Sequence, residues 1–307
     1  MRIAYQMSSD RSKLTPPQGK PLIVHVVLNV EVWQLDRAMP RKILPAPHGI
    51  EHVPDVPNFS WAEYGMRCGF PRILKVIEDR GIPASVNINA DAIDAYPGCA
   101  GAMRDARWEF IGHGIRQAAV RAEDDEERLL SLAIEKIEAF TGSRPRGWLA
   151  PGLQETFNTL DLLKKLNYEY VCDWVLDDLP CWTTTKYGPF IIMPYNLDLN
   201  DSVVFAVEHH SSGELFRRVM DTLDTFGPEL VEQPRVLTLP LHPHLSGVPH
   251  RIGYFAKILD ELLARKDTVF MTASQIADWY KTVESPLFYG LSVRNESVNS
   301  TKKEGLK

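Results

Sequence analysis

The sequence alternates short apolar strands with amphipathic helices along nearly its whole length, and this alternation restricts the possible folds most. "PLIVHVVLNVEVW" near the start and "RVLTLPLHP" near the end are typical of buried strands. Between them, Ser60 and Glu63 match a capping box, and helical spacing continues through Ile77 to Gly81. Because each helix returns the chain to the same end of the sheet, strands connected in this way run parallel. About seven such units predict a single distorted (β/α)7-type barrel of parallel strands, with its site at the C-terminal strand ends.

Composition along the chain divides it into three segments. Residues 21–283 form the predicted barrel domain, and residues 1–20 are polar and contain prolines, which predicts an extended arm or a disordered tail. Residues 284–307 are a polar C-terminal tail that we expect to be mobile. Within the barrel, the proline-rich segment 34–59 is longer than an ordinary connection and predicts a functional loop or a covering flap.

The charge balance and the length of the apolar stretches exclude several classes of partner. The chain has 34 Lys and Arg against 40 Asp and Glu, a formal net charge of -6 at pH 7, which does not attract nucleic acid or an anionic membrane. No stretch approaches the ~18 apolar residues of a membrane span, and the N-terminus lacks the apolar core of a secretory signal. We therefore predict a cytoplasmic protein that binds neither nucleic acid nor membrane.

The four cysteines, Cys68, Cys99, Cys172 and Cys181, are scattered along the chain without the spacing of a metal site. Free thiols are therefore favoured over a disulfide framework. A bond between Cys172 and Cys181 is the alternative.

Polar side chains at the predicted strand ends are the candidates for chemistry, because the loops there form the mouth of a parallel barrel. Asn29 and Glu31 end the first strand on one face, and a buried carboxylate such as Glu31 is costly without a partner or a ligand. His242 follows a strand, where an imidazole can donate a proton to a departing amine nitrogen. His113 ends another strand, as either a site residue or a core histidine bonded to a carbonyl.

The remaining candidates at strand ends each have an ordinary structural explanation as an alternative. Trp148 is either part of the site or part of the core, since a buried tryptophan is common in both. Asp178 follows Asp177 before a proline, where aspartates commonly cap turns. His244 either orients His242 or faces solvent.

A series of motifs, taken together and in order, resembles the polysaccharide deacetylase superfamily, the homology domain of chitooligosaccharide deacetylases. The resemblance covers roughly residues 20–282 and is closest to the branch of bacterial allantoinases, cyclic imide hydrolases and an atypical peptidoglycan deacetylase. The motifs are "LNVE", "EYGMRCGFPRILKVIEDRGIPAS", "WEFIGHG", "DDLPCW", "PYNLDLND" and "LHPHLSGVPHR".

The resemblance implies a site that departs from the metal-dependent members of the superfamily. Those members use an aspartate base, a metal-binding aspartate and two histidines four residues apart. Here Asn29 is at the position of the base and Glu31 at that of the metal carboxylate, and His113 is followed by Gln117 in place of the second histidine. The implied cofactor is therefore either none or a divalent metal such as zinc, held at a degraded site of Glu31, His113 and Gln117.

The resemblance also implies roles for individual residues. Glu31 is the candidate base that activates water, His113 orients water or substrate, and His242 is the acid. Arg67 either binds an anionic or carbonyl group or forms a surface ion pair. The predicted substrate-binding residues are Asn29, Arg67, Trp148, Asp178, Asp201 and His244.

The predicted function is hydrolysis of a non-peptide carbon–nitrogen bond in a small linear or cyclic amide, such as allantoin, an imide or a ureide. General acid–base activation of water would carry it out, and the partner would be a small amide, with the protein a homo-oligomer as in the resembled branch. One alternative is a metal-dependent N-deacetylase of an amino sugar or a cell-wall glycan. Another is a non-catalytic ligand-binding protein, since Asn29 replaces the usual base and fold does not imply function.

Overall fold

The computed structural model describes residues 5–119 and 125–286. Within these ranges the strands form one mostly parallel sheet. The strands are β1 Leu22–Val30, β2 Ser85–Ile88, β3 Glu109–Gly112, β4 Gly147–Trp148, β5 Tyr170–Val171, β6 Cys181–Thr185, β7 Gly188–Ile192, β8 Arg235–Leu241 and β9 Thr268–Phe270. The helices are α1 Val56–Tyr64, α2 Phe70–Glu78, α3 Ala92–Ala95, α4 Pro97–Asp105, α5 Glu126–Thr141, α6 Thr159–Lys165, α7 Glu214–Glu229, α8 Pro243–Ser246, α9 Ile252–Ala264 and α10 Ala273–Val283.

The strand order is β6-β7-β5-β4-β3-β2-β1-β8, and β9 also pairs with β1. Only the β6–β7 hairpin is antiparallel among the pairs of described strands. Strand β1 pairs with β8 along one edge, and its other edge is shared by β9, which pairs with Leu22–Val24, and β2, which pairs with Val27–Val30. The curled, mostly parallel sheet confirms the predicted distorted (β/α) barrel.

The alternation of side chains along β1 builds two separate parts of the interior. Leu22, Val24 and Leu28 belong to a core cluster with Ile73 of α2 and residues of α9, whereas Ile23 and Val27 belong to a second cluster with α10. Each fully buried Leu or Val contributes about 1.5–3 kcal/mol to the free energy of unfolding. The second face of β1 also carries Asn29 and is continued by Glu31, so the barrel interior leads directly to the candidate site.

Helix α1 begins earlier than the sequence predicts. Its N-cap is Asp55, whose side chain accepts a hydrogen bond from the Asn58 backbone N–H at 3.3 Å. Ser60 lies inside the helix, and its hydroxyl donates to the Pro57 carbonyl oxygen at 3.1 Å. The predicted capping box at Ser60 is therefore wrong. Pro57 is at the second helical position, where proline is compatible with the first turn, so the helix can begin upstream of Ser60.

The described part of the N-terminal arm packs against the barrel. Arg11 is buried, and its guanidinium donates to the Pro180 carbonyl oxygen at 2.8 Å and to the Asp177 carboxylate at 3.1 Å. Leu14 is also buried, and its N–H donates to the Gln233 side chain. The predicted alternative of a disordered tail is therefore wrong for residues 5–20, which form an arm that packs against the barrel. Most of the predicted C-terminal tail, residues 287–307, lies outside the described residues.

Two further sequence predictions concern helices and thiols. In the described ranges, the helices are all too short or too polar to cross a membrane. Cys68, Cys99, Cys172 and Cys181 are free thiols, which confirms the prediction against a disulfide framework.

Candidate active site

A cavity of about 780 Å³ opens at the C-terminal ends of the strands. Asn29 and Glu31 from the end of β1, His113 after β3 and His242 after β8 line its floor. The segment between β1 and α1 forms part of the wall. The structure therefore brings together the three residues for which the sequence predicts catalytic roles.

The Glu31 carboxylate lies between two imidazoles. Its Oε1 atom is 3.7 Å from Nε2 of His113 and 3.6 Å from Nε2 of His242, while Oε2 accepts a hydrogen bond from Trp33 Nε1 at 2.7 Å. Burial tends to raise the pKa of Glu31, but the neighbouring imidazoles of His113 and His242 outweigh it and hold the pKa well below its usual value. Glu31 is consequently ionised at neutral pH and can accept a proton.

His242 is held from behind by a buried aspartate. Its Nδ1–H donates to Asp201 Oδ1 at 2.6 Å, and its backbone N–H donates to Asp201 Oδ2 at 2.7 Å. Burial tends to lower the pKa of His242, but the charge of Asp201, the bond to it and the nearby Glu31 raise the pKa to about 10. The imidazole is therefore protonated at neutral pH, and its Nε2–H faces Glu31 and the cavity.

His113 is oriented by the chain that follows β4. Its Nδ1 lies 2.6 Å from the Leu149 carbonyl oxygen, which only accepts, so the ring donates there. Its Nε2 atom is buried, has no hydrogen-bond partner among the described residues and faces Glu31 at ion-pair distance. Such an atom is suited to contact a water or a substrate group that enters beside Glu31.

Asn29 is fixed by three partners at the base of the cavity. Its amide donates to the Leu241 carbonyl oxygen and to the Tyr195 hydroxyl, both at 3.1 Å, and its oxygen accepts from Asn87 at 2.9 Å. An amide cannot act as a general base, so Asn29 fixes shape and polarity instead. Burial raises the pKa of Tyr195 well above its usual value, which keeps this hydroxyl protonated as a donor.

His244 belongs to an aromatic wall. Its ring packs edge to face against Trp61 at 4.5 Å and Trp33 at 5.3 Å between centroids. Burial, and then the charge of His242, lower the pKa of His244 to about 4, so the ring is neutral at pH 7. The predicted alternative that His244 faces solvent is wrong, because the ring is buried in this wall, where it also lines the cavity.

The turn that carries the two histidines is packed against a glycine pair. A Cβ atom on Gly65 would lie 2.4 Å from the His244 backbone nitrogen, and one on Gly69 would lie 2.0 Å from the Pro243 carbonyl oxygen. Both glycines belong to the π-helical turn Gly65–Gly69 between α1 and α2. The "GMRCG" stretch therefore sets how closely α1 and α2 approach α8.

Four of the predicted substrate-binding residues, Arg67, Trp148, Asp178 and Asp201, do not line the cavity. Arg67 is 78% exposed and lies 3.9 Å from Glu63, so the surface ion pair is the correct alternative. Trp148 is fully buried beside Tyr168 in the core, because its strand turns Leu149 rather than Trp148 toward the cavity. The Asp178 carbonyl oxygen accepts from Val236 N at the start of β8, which places Asp178 at the opposite end of the barrel.

Asp201 lies next to the cavity but is fully buried, and both of its carboxylate oxygens already accept hydrogen bonds. Besides His242, Asp201 Oδ2 accepts from the Ser246 hydroxyl at 2.7 Å. The structure therefore gives Asp201 a positioning contact with the proposed acid in place of the predicted contact with substrate. Of the six predicted residues, Asn29 and His244 line the cavity.

The predicted metal set does not fit a zinc site. Gln117 also lines the cavity, but its oxygen accepts from the Asn89 amide at 3.4 Å. Glu31 and His113 then supply only two ligands of the types that zinc requires. In the part of the chain that the structure describes, no group of three or more His, Cys, Asp or Glu side chains is arranged to hold a metal ion.

Sequence reasoning missed several cavity residues. Trp33 is two residues after Glu31, as Glu31 is two residues after Asn29. Extending the alternation of side chains by one further pair of residues predicts that Trp33 lies on the same face. Tyr195 lies in the quoted motif "PYNLDLND" but was not singled out. Arg37 and Arg41 lie in the segment predicted as a flap, and no local pattern indicates that they line the cavity.

Comparison with known proteins finds one family model and several relatives similar to this chain. Residues 61–171 match the family model described as polysaccharide deacetylase. A putative polysaccharide deacetylase of Schizosaccharomyces pombe is 28% identical over 240 residues, 71% of this chain and 74% of that protein.

Two solved structures resemble the whole barrel. A probable polysaccharide deacetylase from Pseudomonas aeruginosa PAO1 has a TM-score of 0.77 and 27% identity, covering 87% of this chain and 95% of its own. The Puue allantoinase has a TM-score of 0.80 and 26% identity, covering 91% and 98% of the two chains.

The fold and these matches define the class as a hydrolase that acts on carbon–nitrogen bonds other than peptide bonds. More particularly, residues 61–171 are similar to the polysaccharide deacetylase family, and the distorted (β/α) barrel is similar to that of the probable polysaccharide deacetylase from Pseudomonas aeruginosa PAO1.

Proposed function

We propose that this protein hydrolyses a carbon–nitrogen bond in a small linear or cyclic amide, with ureides and imides as the candidates. One observation carries the proposal: an ionised carboxylate, Glu31, lies 3.6 Å from a protonated imidazole, His242, at the floor of one cavity. At this separation, the base can act on the attacking water and the acid on the departing nitrogen of the same amide.

The proton transfers of the proposed reaction balance without any further group. Glu31 takes a proton from water as the oxygen attacks the carbonyl carbon. As the carbon–nitrogen bond breaks, His242 Nε2 gives its proton to the departing nitrogen. Glu31 then returns its proton to His242 across the 3.6 Å between them, and both groups regain their starting states. The products are a carboxylic acid and an amine.

Fixed donors near the floor support the developing oxyanion. The Tyr195 hydroxyl lines the cavity and remains protonated, so it can donate to a carbonyl oxygen as negative charge forms there. His113, anchored by the Leu149 carbonyl, holds water or substrate beside Glu31. Asp201 keeps the imidazole of His242 in the orientation that aims Nε2 at the cavity.

The dimensions of the cavity favour a small substrate. Its volume of about 780 Å³ falls in the usual range for small-molecule sites, roughly 300–1,000 Å³. Gln34, Arg37 and Pro40 wall one side of this cavity, whereas a polymer would need an open groove. The similarity to an allantoinase structure also supports a small amide substrate.

A second candidate is an N-deacetylase of an amino sugar or a cell-wall glycan. The names of the Schizosaccharomyces pombe relative and of the Pseudomonas aeruginosa structure favour it. It would use the same amide chemistry on a different substrate and, in its metal-dependent form, a divalent ion. The incomplete set of ligands around Glu31 and His113 favours the small amide.

A substrate panel distinguishes these candidates. Allantoin, hydantoin, succinimide and N-acetylglucosamine oligomers are incubated with the protein, with and without a chelator, and products are quantified. We expect turnover of a small amide that survives chelation. Turnover of the oligomers that chelation abolishes would support the deacetylase, and no turnover of any compound would support a non-catalytic binding protein.

Two substitutions test the residue roles on whichever compound is turned over. Glu31→Gln keeps the shape but removes the base, and His242→Ala removes the acid, so each should lower kcat by about 10²-fold or more. His210→Ala is the matched control, because His210 is a surface histidine paired with Glu208 at 3.4 Å and does not line the cavity. A near-normal rate in either site variant would remove that residue from the mechanism.

A cytoplasmic location and a homo-oligomeric state are part of the same proposal. Small ureides and imides are metabolites of the cell interior, and the net charge of -6 suits a freely diffusing protein. Light scattering of the purified protein measures the oligomeric state, and a monomer would contradict this part of the proposal.

A further inference from the structure

The outer wall of the cavity has the opposite charge to the protein as a whole. Acidic residues outnumber basic ones in the chain by 40 to 34. Among the described residues that line the cavity, however, Glu31 on the floor is the single acid, whereas Arg37 and Arg41 also line it and are exposed, which puts them on its solvent side. The mouth therefore presents positive charge to an entering molecule.

Both arginines are free to bind a ligand. Neither guanidinium makes a hydrogen bond or an ion pair with another described side chain, and both residues are exposed. The neighbouring Lys42, by contrast, forms an ion pair with Glu51 and does not line the cavity. The two cations without partners on this segment are thus the two that face the cavity.

The other residues of this wall do not neutralise the two charges. Gln34 and Gln154 are neutral, and Ala38 and Pro40 are apolar. Glu31 is already flanked by His113 and His242 and bonded to Trp33, so its charge is compensated on the floor. An anion at the mouth would meet two guanidinium groups before it met any carboxylate of the described lining.

We infer that Arg37 and Arg41 form a binding site for a carboxylate group of the substrate. A guanidinium presents a planar pair of N–H donors that matches the two oxygens of a carboxylate. This inference rests on the proposed function and narrows its substrate class. The substrate is an amide whose scissile bond reaches Glu31 and His242 while a separate carboxylate remains at the mouth.

Matched pairs of ligands test the inference directly. Hydantoin-5-acetate is hydantoin with an added carboxymethyl group, and N-acetylmuramic acid is N-acetylglucosamine with an added lactyl ether, so that one member of each pair carries a carboxylate. Their dissociation constants are measured by calorimetry with the Glu31→Gln protein, which removes turnover. The same measurements are repeated after adding Arg37→Gln and Arg41→Gln together, or Lys42→Gln as the matched control.

We expect the anionic member of at least one pair to bind about 10-fold more tightly than its neutral partner. The double arginine substitution should remove most of that preference and leave the affinity of the neutral ligand unchanged, and Lys42→Gln should preserve the preference. Equal affinities within both pairs, absence of binding by all four ligands, or a preference that survives loss of both arginines would overturn the inference.

The outcome for the proposed function is read separately, from turnover of the substrate panel by the unmodified protein. A carboxylate preference that depends on the arginines, without hydrolysis of any compound, would leave the binding site intact and refute the enzymatic proposal. Hydrolysis of neutral amides, with no preference for the anionic ligands, would do the reverse.

Discussion

Replacing Asp201 with asparagine removes one negative charge behind the proposed proton donor. Asp201 Oδ1 lies 2.6 Å from His242 Nδ1, and Glu31 Oε1 lies 3.6 Å from His242 Nε2. With an effective dielectric constant of about 20, a charge attracts the imidazolium by about 6 kcal/mol at the shorter distance and about 5 kcal/mol at the longer one. Asp201 therefore supplies more than half of the attraction that overcomes burial and raises the pKa of His242 to about 10.

We expect Asp201→Asn to lower the pKa of His242 by about two units or more, because burial then opposes the charge of Glu31 alone. In the unmodified protein the acid is protonated below pH 10, so the basic limb of the kcat/KM profile should lie near that value. In the variant the limb should move toward neutral pH. At pH 10, where about half of the unmodified protein but only about 1% of the variant keeps the proton, kcat/KM should fall by about 50-fold. NMR titration of the imidazole reports the same change without any substrate.

The same shift predicts how stability depends on pH. The folded-state pKa of His242 is raised from 6.5 to about 10. Its stabilising contribution is therefore fully present below pH 6.5 and is lost as the pH rises toward 10. Asp201→Asn should make this loss of stability at high pH smaller.

Asp161→Asn is the matched control, because Asp161 is also buried, accepts a hydrogen bond from the Lys186 backbone N–H at 2.8 Å and does not line the cavity. An unchanged His242 titration in Asp201→Asn, or an equal shift in Asp161→Asn, would refute the reasoning.

Two further predictions concern packing and stability. Gly65→Ala should displace the turn of His244 and lower the free energy of unfolding by about 1–3 kcal/mol, together with activity. Gly101→Ala in α4, where a Cβ meets nothing within 4 Å, should instead stabilise by about 0.5–1 kcal/mol, and urea unfolding of both variants checks the contrast. Glu109 accepts hydrogen bonds from Tyr170 at 2.5 Å and from Ser274 at 3.1 Å at the opposite end of the barrel. Glu109→Gln should cost about 1–3 kcal/mol of stability in the same assay, with kcat of the folded protein unchanged, and a loss of kcat would contradict this separation.

The fold was accessible from the sequence because it depends on patterns that repeat locally. Apolar strands alternating with amphipathic helices allow few arrangements, and a curled parallel sheet is the one the structure has. The first residue of α1, by contrast, could not be predicted from local patterns. Asp55 and Ser60 are both acceptable N-caps, and the packing of the whole helix decides between them.

The floor of the site was also predictable in part. Glu31, His113 and His242 each follow a predicted strand, and parallel strands bring their C-terminal ends to one edge of the sheet. Trp148 was misplaced because a strand of two residues gives too little alternation to show which side chain faces the cavity. Asp178 was misplaced because its segment follows β5 around to the opposite end of the barrel.

The sequence by itself determined the strand and helix pattern and the types of side chain at the strand ends. Only the tertiary structure decided that Glu31 lies between two imidazoles, that Asp201 is bonded to His242, and that Arg37 and Arg41 face the same cavity. The physical reason is that local patterns act over a few residues, whereas the charge state of a buried group depends on neighbours that only the folded chain brings within a few ångströms.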